Sequence, residues 1–305
     1  MKRVVSVSLG SSKRDHAVET KILGKKFLIE RIGTDGDFAK AIELIRSLDG
    51  KIDAFGMGGI DLYITAGQKR YMLKDALRLK AAAQKTPMVD GSGLKNTLER
   101  RTVHYISQEG MFNFTGKKVL LVCGVDRFGM AEALVEAGAD VTFGDLIFGL
   151  NLPIPIKSWQ MLSAVGRTLG PIVSRIPFKY LYPTGEQQEV IFAKYSKYYD
   201  LNEVIAGDFH FIKKHLPAKL QGKGILTNTV TAEDVKLLAS RGAKWLITTT
   251  PELEGRSFGT NVMEAVLVVL LNKEVDAITP DDYNEILDRT KFKPRIENFL
   301  QIASA

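Results

Sequence analysis

Short apolar runs, bounded by glycines and polar clusters, set the rhythm of the first hundred residues. Residues 4–9 (Val-Val-Ser-Val-Ser-Leu) read as a buried strand, and residues 16–23 with 26–32 as a hairpin around Gly24. Asp37 stands where a helix cap belongs. Phe38, Ala41, Ile42, Leu44 and Ile45 then recur at helical spacing until Gly50 stops the segment. Residues 52–57 form another buried-type strand, followed by the turn Gly58-Gly59. Leu73, Leu77, Leu79 and the alanines at 81–83 predict a helix over 71–84, and a second helix is expected over 94–99. Three strands, a helix and a strand in this order also occur in actin-like and ribonuclease-H-like folds. Those folds hold magnesium on an acid in the first strand. Here no carboxylate precedes Asp15, so the topology stays open while metal-dependent phosphoryl transfer is excluded.

From residue 118 the pattern becomes a regular alternation. Residues 118–123 are a continuous apolar strand, 130–137 a helix stopped at Gly138, and 141–143 the next strand. After a long insertion, residues 203–206, 224–227 and 245–249 are three more short buried strands. Between the last two, Thr231-Ala-Glu-Asp234 has the form of a capping box, and its helix closes at Gly242. Strands alternating with helices imply a doubly wound parallel sheet. The expected class is therefore α/β: an N-terminal α/β substrate domain (1–110), a Rossmann-like domain (111–260, with insertion 146–202) and a helical C-terminal tail (261–305). The tail's helices, over 261–271 and 281–287, are available to pack back on the first domain.

Composition narrows the function classes only a little. The 305 residues are 45% apolar and 25% charged, and the formal charge of +7 is spread along the chain. That balance suits an acidic small molecule, a phosphate-bearing cofactor or an anionic surface. No basic tract interleaved with aromatics points to nucleic acid. A lone cysteine, Cys123, leaves no disulfide framework or thiolate metal cluster, and the expected compartment is a reducing cytoplasm. The longest apolar run, 265–271, falls well short of the ~20 residues a membrane span needs.

In a doubly wound sheet, ligands bind where strands end and helices begin. The first such loop is Cys123-Gly-Val-Asp-Arg-Phe-Gly-Met130. Gly124 and Gly129 take the outer positions of a G-x-G-x-x-G fingerprint, for the tight turn and for close helix–strand packing. Asp126 replaces the middle glycine, and Arg127 is the candidate phosphate ligand that offsets it. Asp145 lies 21 residues after Gly124, where an acid accepts from a ribose diol and favours NAD over NADP. Asn228 follows the fourth strand. Thr249 and Arg256 belong to the hydroxyl-rich loop after the fifth, which leads into a helix N-terminus able to attract a phosphate or carboxylate. NAD is the expected cofactor, with NADP or another nucleotide as alternatives.

A substrate would then lie in the cleft facing the first domain, where Ser11, Ser12, Lys13, Arg14, Thr34, Asp35 and Asp61 supply polar groups. Lys95 beside Asp90 is the candidate general acid/base pair for a secondary alcohol and its ketone, the acid fixing the ammonium and tuning its pKa. The competing view is a loop aspartate and an exposed helix lysine. His16, His104, His210 and His215 lack metal-ligand spacing, no G-x-S-x-G elbow is present, and Cys123 reads as core. Residues 146–185 contain no acid but carry Lys157, Arg167, Arg175 and Lys179 among apolar residues at near-helical spacing, broken by Pro153, Pro155, Pro171 and Pro177. A lid, a homodimer contact, a helix on an anionic membrane surface and simple interdomain packing all remain open for them.

Residues 5–15, 55–63, Pro183-Thr-Gly-Glu186, 227–234 and 248–265 resemble bacterial proteins labelled quinate 5-dehydrogenase. The two-domain layout, with Gly124, Gly129, Asp145 and the 228 and 248–261 loops, is similar to the wider shikimate/quinate dehydrogenase group. The resemblance implies an NAD-dependent oxidoreductase acting on a polyol or hydroxy-acid such as quinate or shikimate. Lys95 and Asp90 rest on their own loop chemistry and are not taken from that resemblance. The alternative expectation is a non-redox Rossmann-like nucleotide-binding or regulatory protein, favoured by Asp126 and by the insertion.

Overall fold

The computed structural model describes residues 1–66, 69–176, 191–253 and 256–299. It contains two mostly parallel sheets covered by helices, an α/β architecture whose second sheet is Rossmann-like. The first sheet is built from β1 (Lys2–Ser8), β2 (His16–Ile22), β3 (Lys25–Gly33), β4 (Ala54–Gly58) and β7 (Met88–Val89), in the order β2-β3-β1-β4-β7. β1 pairs in parallel with both β3 and β4, placing Val4 opposite Ile29 and Ala54. The meander of an actin-like sheet would put β2 beside β1. Instead β3, with Phe27 and Ile29 fully buried, lies inside, and β2, whose one buried residue is Val18, takes the edge.

Alternation along β1 explains the two layers around it. Val5 and Val7 face α1 (Phe38–Leu48) and α2 (Lys74–Lys80), packing with Ala41, Ile45 and Leu79. Val4 faces the other way, into a core completed by Leu94, Val262, Val266 and Ile286. Those last residues come from α3 (Ser92–Gln108), α9 (Thr260–Leu271) and α10 (Pro280–Arg289). The segment expected as a tail thus packs back on the first sheet.

The second sheet is built from β8 (Lys118–Leu121), β9 (Asp140–Phe143), β10 (Val204–Gly207), β11 (Gly224–Thr227), β12 (Trp245–Thr248) and β15 (Arg295–Asn298). Their order is β15-β12-β11-β10-β8-β9, with β15 antiparallel to β12. One face packs on α4 (Phe128–Glu136), α5 (Trp159–Val173) and the second half of α3, through Met130, Leu134, Leu162, Val103 and Ile106. The other packs on α6 (Ser196–Asp200), α7 (Phe209–Lys214) and α8 (Ala232–Ser240), through Tyr199, Ile212 and Leu238. The capping box at Thr231 and Asp234 is formed.

Three local expectations need correction. The helix expected over 71–84 is a strand, β6 (Lys69–Met72), paired with β5 (Tyr63–Ala66), and then the shorter α2. The helix expected over 94–99 is α3, 17 residues long, which buries Leu94 and Leu98 in the first core and Val103 and Ile106 in the second. β15 was not expected at all: Arg-Ile-Glu-Asn has too little apolar character to announce a strand, and its place is set by the open edge of β12.

Candidate functional site

The carboxyl ends of the two sets of parallel strands face each other across a cleft of about 180 Å³. From the first sheet come Ser8 and Gly10 after β1, Gly59 and Asp61 after β4, and Asp90, Gly91 and Lys95 after β7. From the second come Asp126 and Arg127 after β8, Asp208 and His210 after β10, and Asn228 after β11. The N-terminus of α9 forms one wall and approaches so closely that a Cβ on Gly91 would sit 2.7 Å from the Asn261 nitrogen. Gly91 also has φ +95°, so both space and backbone demand glycine there.

Lys95 and Asp90 both line this cleft but do not pair as expected. Asp90 accepts from the backbone N–H of Leu62 (2.5 Å) and from the N–H and hydroxyl of Ser92 (3.1 and 2.7 Å). Its carboxylate fixes the 60–62 turn and the start of α3. The Lys95 ammonium instead lies 2.8 Å from Asp126 and 3.7 Å from Asp61. Burial opposes its charge, yet the two carboxylates outweigh burial and raise its pKa. Burial likewise opposes ionisation of Asp126, but Lys95 and Arg127 hold its carboxyl well below the usual range. Asp61 takes the other direction. Burial, together with the charges of Asp126 and Asp90, pushes it up to about 7 against the pull of Lys95. One proton therefore resides between two carboxylates beside a fixed ammonium, and it titrates near neutrality.

Arg127 is no free phosphate ligand. Its side chain is 5% exposed and bridges Glu99 (2.5 Å), Asp208 (2.6 Å) and Asp126 (3.4 Å). Asn228 donates to Asp208 (2.8 Å) and accepts from the Phe209 N–H (3.1 Å), holding the loop after β10. Across the cleft, Arg14 contacts His210 Nε2 at 2.9 Å. Burial and the Arg14 charge lower the His210 pKa to about 4, so the ring is neutral at pH 7 and accepts from the guanidinium. Arg31 lines the same wall, donating to the Ser11 carbonyl, Asp15 and Ser8.

The residues expected to hold a dinucleotide are also occupied. Asp145 accepts from the N–H groups of Gly124 (3.0 Å) and Val125 (2.8 Å), the amides that would face a pyrophosphate. Burial pushes its pKa up to about 6 against those two donors. Gly129 serves helix–helix rather than helix–strand packing: a Cβ there would stand 2.6 Å from the Asn96 carbonyl oxygen of α3. Thr249 is 1% exposed and faces a separate pocket with Arg101, Tyr105 and Phe292, where its hydroxyl has no partner. Arg256 sits in the short strand β14 (Arg256–Ser257), paired with β13 (Glu252–Leu253), and its side chain lies outside the described residues. As they stand, the loop residues do not fit a dinucleotide. The phosphate-facing amides are taken, and Asp126 and Asp208 flank the place with negative charge.

Within the insertion, α5 caps on Ser158 and runs from Trp159 to Val173, with Gly170 against the Tyr71 ring of β6. Pro183-Thr-Gly-Glu186 and Lys179 lie outside the described residues. Among the described residues, no helix is long and apolar enough to cross a membrane and no cluster could hold a metal ion. The sequence missed Glu99 and Asp208, and it gave His210 no place in the site, noting only that its spacing does not suit a metal. The one signal for them was Asp126 itself, since an acid in a glycine loop beside Arg127 implies further charges arranged around both.

No curated protein matches the chain. Among solved structures, similarity is found to a hetero-hexameric glutamate dehydrogenase from Thermus thermophilus, at 11% identity and TM-score 0.45, covering 95% of this chain and 73% of that one. A Mycobacterium smegmatis protein in complex with β-D-fucofuranose is similar at 10% identity and TM-score 0.37, covering 98% and 99%. One of the subunits of dipicolinate synthase from Bacillus halodurans is similar at 11% identity and TM-score 0.25, covering 79% and 87%. Likeness this distant says nothing of activity. Residues 3–90 match the family model described as domain of unknown function DUF8753. Residues 93–299, more than half of the chain, match the model described as domain of unknown function DUF8754, and the chain belongs to that family.

Proposed function

We propose that the cleft binds a small hydroxylated carboxylic acid, of the polyol or hydroxy-acid class to which quinate belongs, and that Lys95, Asp61 and Asp126 perform general acid–base chemistry on it. The observation that carries this reading is the Lys95 ammonium set between two carboxylates, one of which titrates near pH 7. Lys95 donates to a substrate hydroxyl or carbonyl oxygen and stabilises negative charge that develops there. Asp61, close to half-protonated at neutrality, takes the proton from the carbon next to that carbonyl carbon and returns it there, so the C–H bond that breaks is re-formed and no oxidant is needed. Asp126 keeps the ammonium charged and aimed, and Arg14 and Arg31 supply positive charge for the carboxylate. Hydride transfer to NAD, which the resemblance to quinate dehydrogenases implies, is not part of the proposal, because the loop residues are engaged with one another.

The test is calorimetric titration with quinate, shikimate and simpler hydroxy-acids, followed by NMR of the bound acid in D2O for deuterium entering C–H positions. Saturable binding, weakened about tenfold or more in Lys95→Met, is expected from loss of one charge-assisted hydrogen bond. Binding unaffected by Lys95→Met would refute the role of the lysine. Binding without deuterium exchange would leave a binding protein and no acid–base enzyme.

A further inference from the structure

The glycine loop after β8 keeps the geometry of an anion site, and the chain itself fills it. Two consecutive amides, of Gly124 and Val125, converge on the two oxygens of one carboxylate, and the Cys123 thiol approaches the same group at 3.8 Å. The carboxylate belongs to Asp145, at the end of the neighbouring strand. We propose that this loop is an anion site occupied by the chain's own Asp145, with residues 145–173 seated over it as a cover, so that the second sheet takes no dinucleotide there.

The cover is built from apolar contacts. Residues 145–149 form a helical turn in which Ile147 and Phe148 are buried. The chain then returns along the free edge of β9, where Phe143 and Ile156 exchange backbone hydrogen bonds of 2.9 and 3.0 Å. That return lies where the ribose and base of a dinucleotide would leave the end of the second strand. α5 follows. Its Leu162, fully buried, would stand 3.0 Å from a Cβ on Gly124, and Trp159 packs on Phe128 with ring centroids 4.3 Å apart, closing over the start of α4. A pyrophosphate would have to expel Asp145, lift α5 and settle beside Asp126 and Asp208. The insertion, which no nucleotide-binding sheet requires, has a physical role here as the wall that replaces the ligand. None of this depends on Lys95 or Asp61, so the acid–base reading stands or falls separately.

The test uses the full chain. In wild type, the Gly124 and Val125 amides are expected to be protected from hydrogen exchange without added ligand, and NAD, ADP or inorganic pyrophosphate at millimolar concentration should leave the melting midpoint unmoved. Asp145→Ala empties the site. Formate, small enough to take the lost carboxylate's place beneath α5, should then raise the midpoint of that variant, and not of wild type, by about 2 °C or more, the size expected for a ligand well above its Kd. Asp145→Asn, which keeps the shape and one acceptor oxygen, should respond less. Three results would overturn the proposal: saturable binding of NAD or ADP to wild type, rapid exchange of the two amides, or an Asp145→Ala protein indifferent to formate. The exchange measurement needs no variant, so it decides even if Asp145→Ala fails to fold.

Discussion

Arg127→Met removes the one cation shared by Glu99, Asp208 and Asp126, and its cost can be worked out partner by partner. Asp208 keeps the Asn228 amide and the His210 N–H, and Asp126 keeps Lys95. Glu99 keeps much less. It is 1% exposed, and its second oxygen already lacks a partner. Leaving such a carboxylate buried and unpaired costs about 3–5 kcal/mol. Burial already raises the Glu99 pKa with Arg127 in place, and without Arg127 it must rise further. A group whose folded pKa is raised contributes its full stability below the unfolded value, near 4.5, and loses it as pH rises through the folded one. The deficit of Arg127→Met should therefore be about 4 kcal/mol at pH 8 and shrink as the pH falls toward 4.5. Urea unfolding at pH 8 and pH 5 measures it, and Arg127→Met with Glu99→Gln should be more stable than Arg127→Met alone at pH 8. A deficit independent of pH, or a double variant no better than the single one, would refute the assignment of the cost to Glu99.

Glu264, buried against Gly91 and Tyr283, has a pKa pushed up to about 7 by burial and by Asp90. Its folded pKa is raised, so wild type should lose about 3 kcal/mol between pH 4.5 and pH 8 that Glu264→Gln retains, read from denaturant midpoints across that range. Gly129→Ala drives a methyl against the Asn96 backbone and should cost about 1–3 kcal/mol, since neither helix can retreat without opening its core. If its unfolding midpoint equals that of wild type, α3 and α4 are not held as close as described. Asp61→Asn should flatten the pH dependence of ligand binding around pH 7, because it removes the group that titrates there. An unchanged profile would move that proton to another residue.

Several parts of the molecule are legible in order along the chain. The buried strands at 4–9, 118–123, 203–206, 224–227 and 245–249 are short runs rich in apolar residues, and both faces of their sheets are covered as such runs require. The caps at Asp37 and Thr231 are side-chain-to-backbone bonds within four residues, so local sequence suffices for them. The site was only half legible. Lys95, Asp90, Asp61, Asp126 and Arg127 could each be named, but the partners could not, since Lys95 meets an acid 31 residues away and Arg127 one 81 residues away. Asp90 looked like the partner of Lys95 because it is near in sequence. The helix start between them turns that carboxylate to backbone N–H groups instead.

The sequence by itself determined the α/β class, the alternation of the second half, the glycine loop and the presence of an acid at its end, because periodicity, capping and turn chemistry are local. Tertiary structure alone decided that β3 rather than β2 adjoins β1, that α3 spans both cores, and that the last strand returns to β12. It also decided what the charged loop residues do. A carboxylate reads the same in sequence whether it awaits a ribose or closes a loop. Its role depends on which N–H groups and cations the fold brings within about 3 Å, a distance set by packing between distant segments.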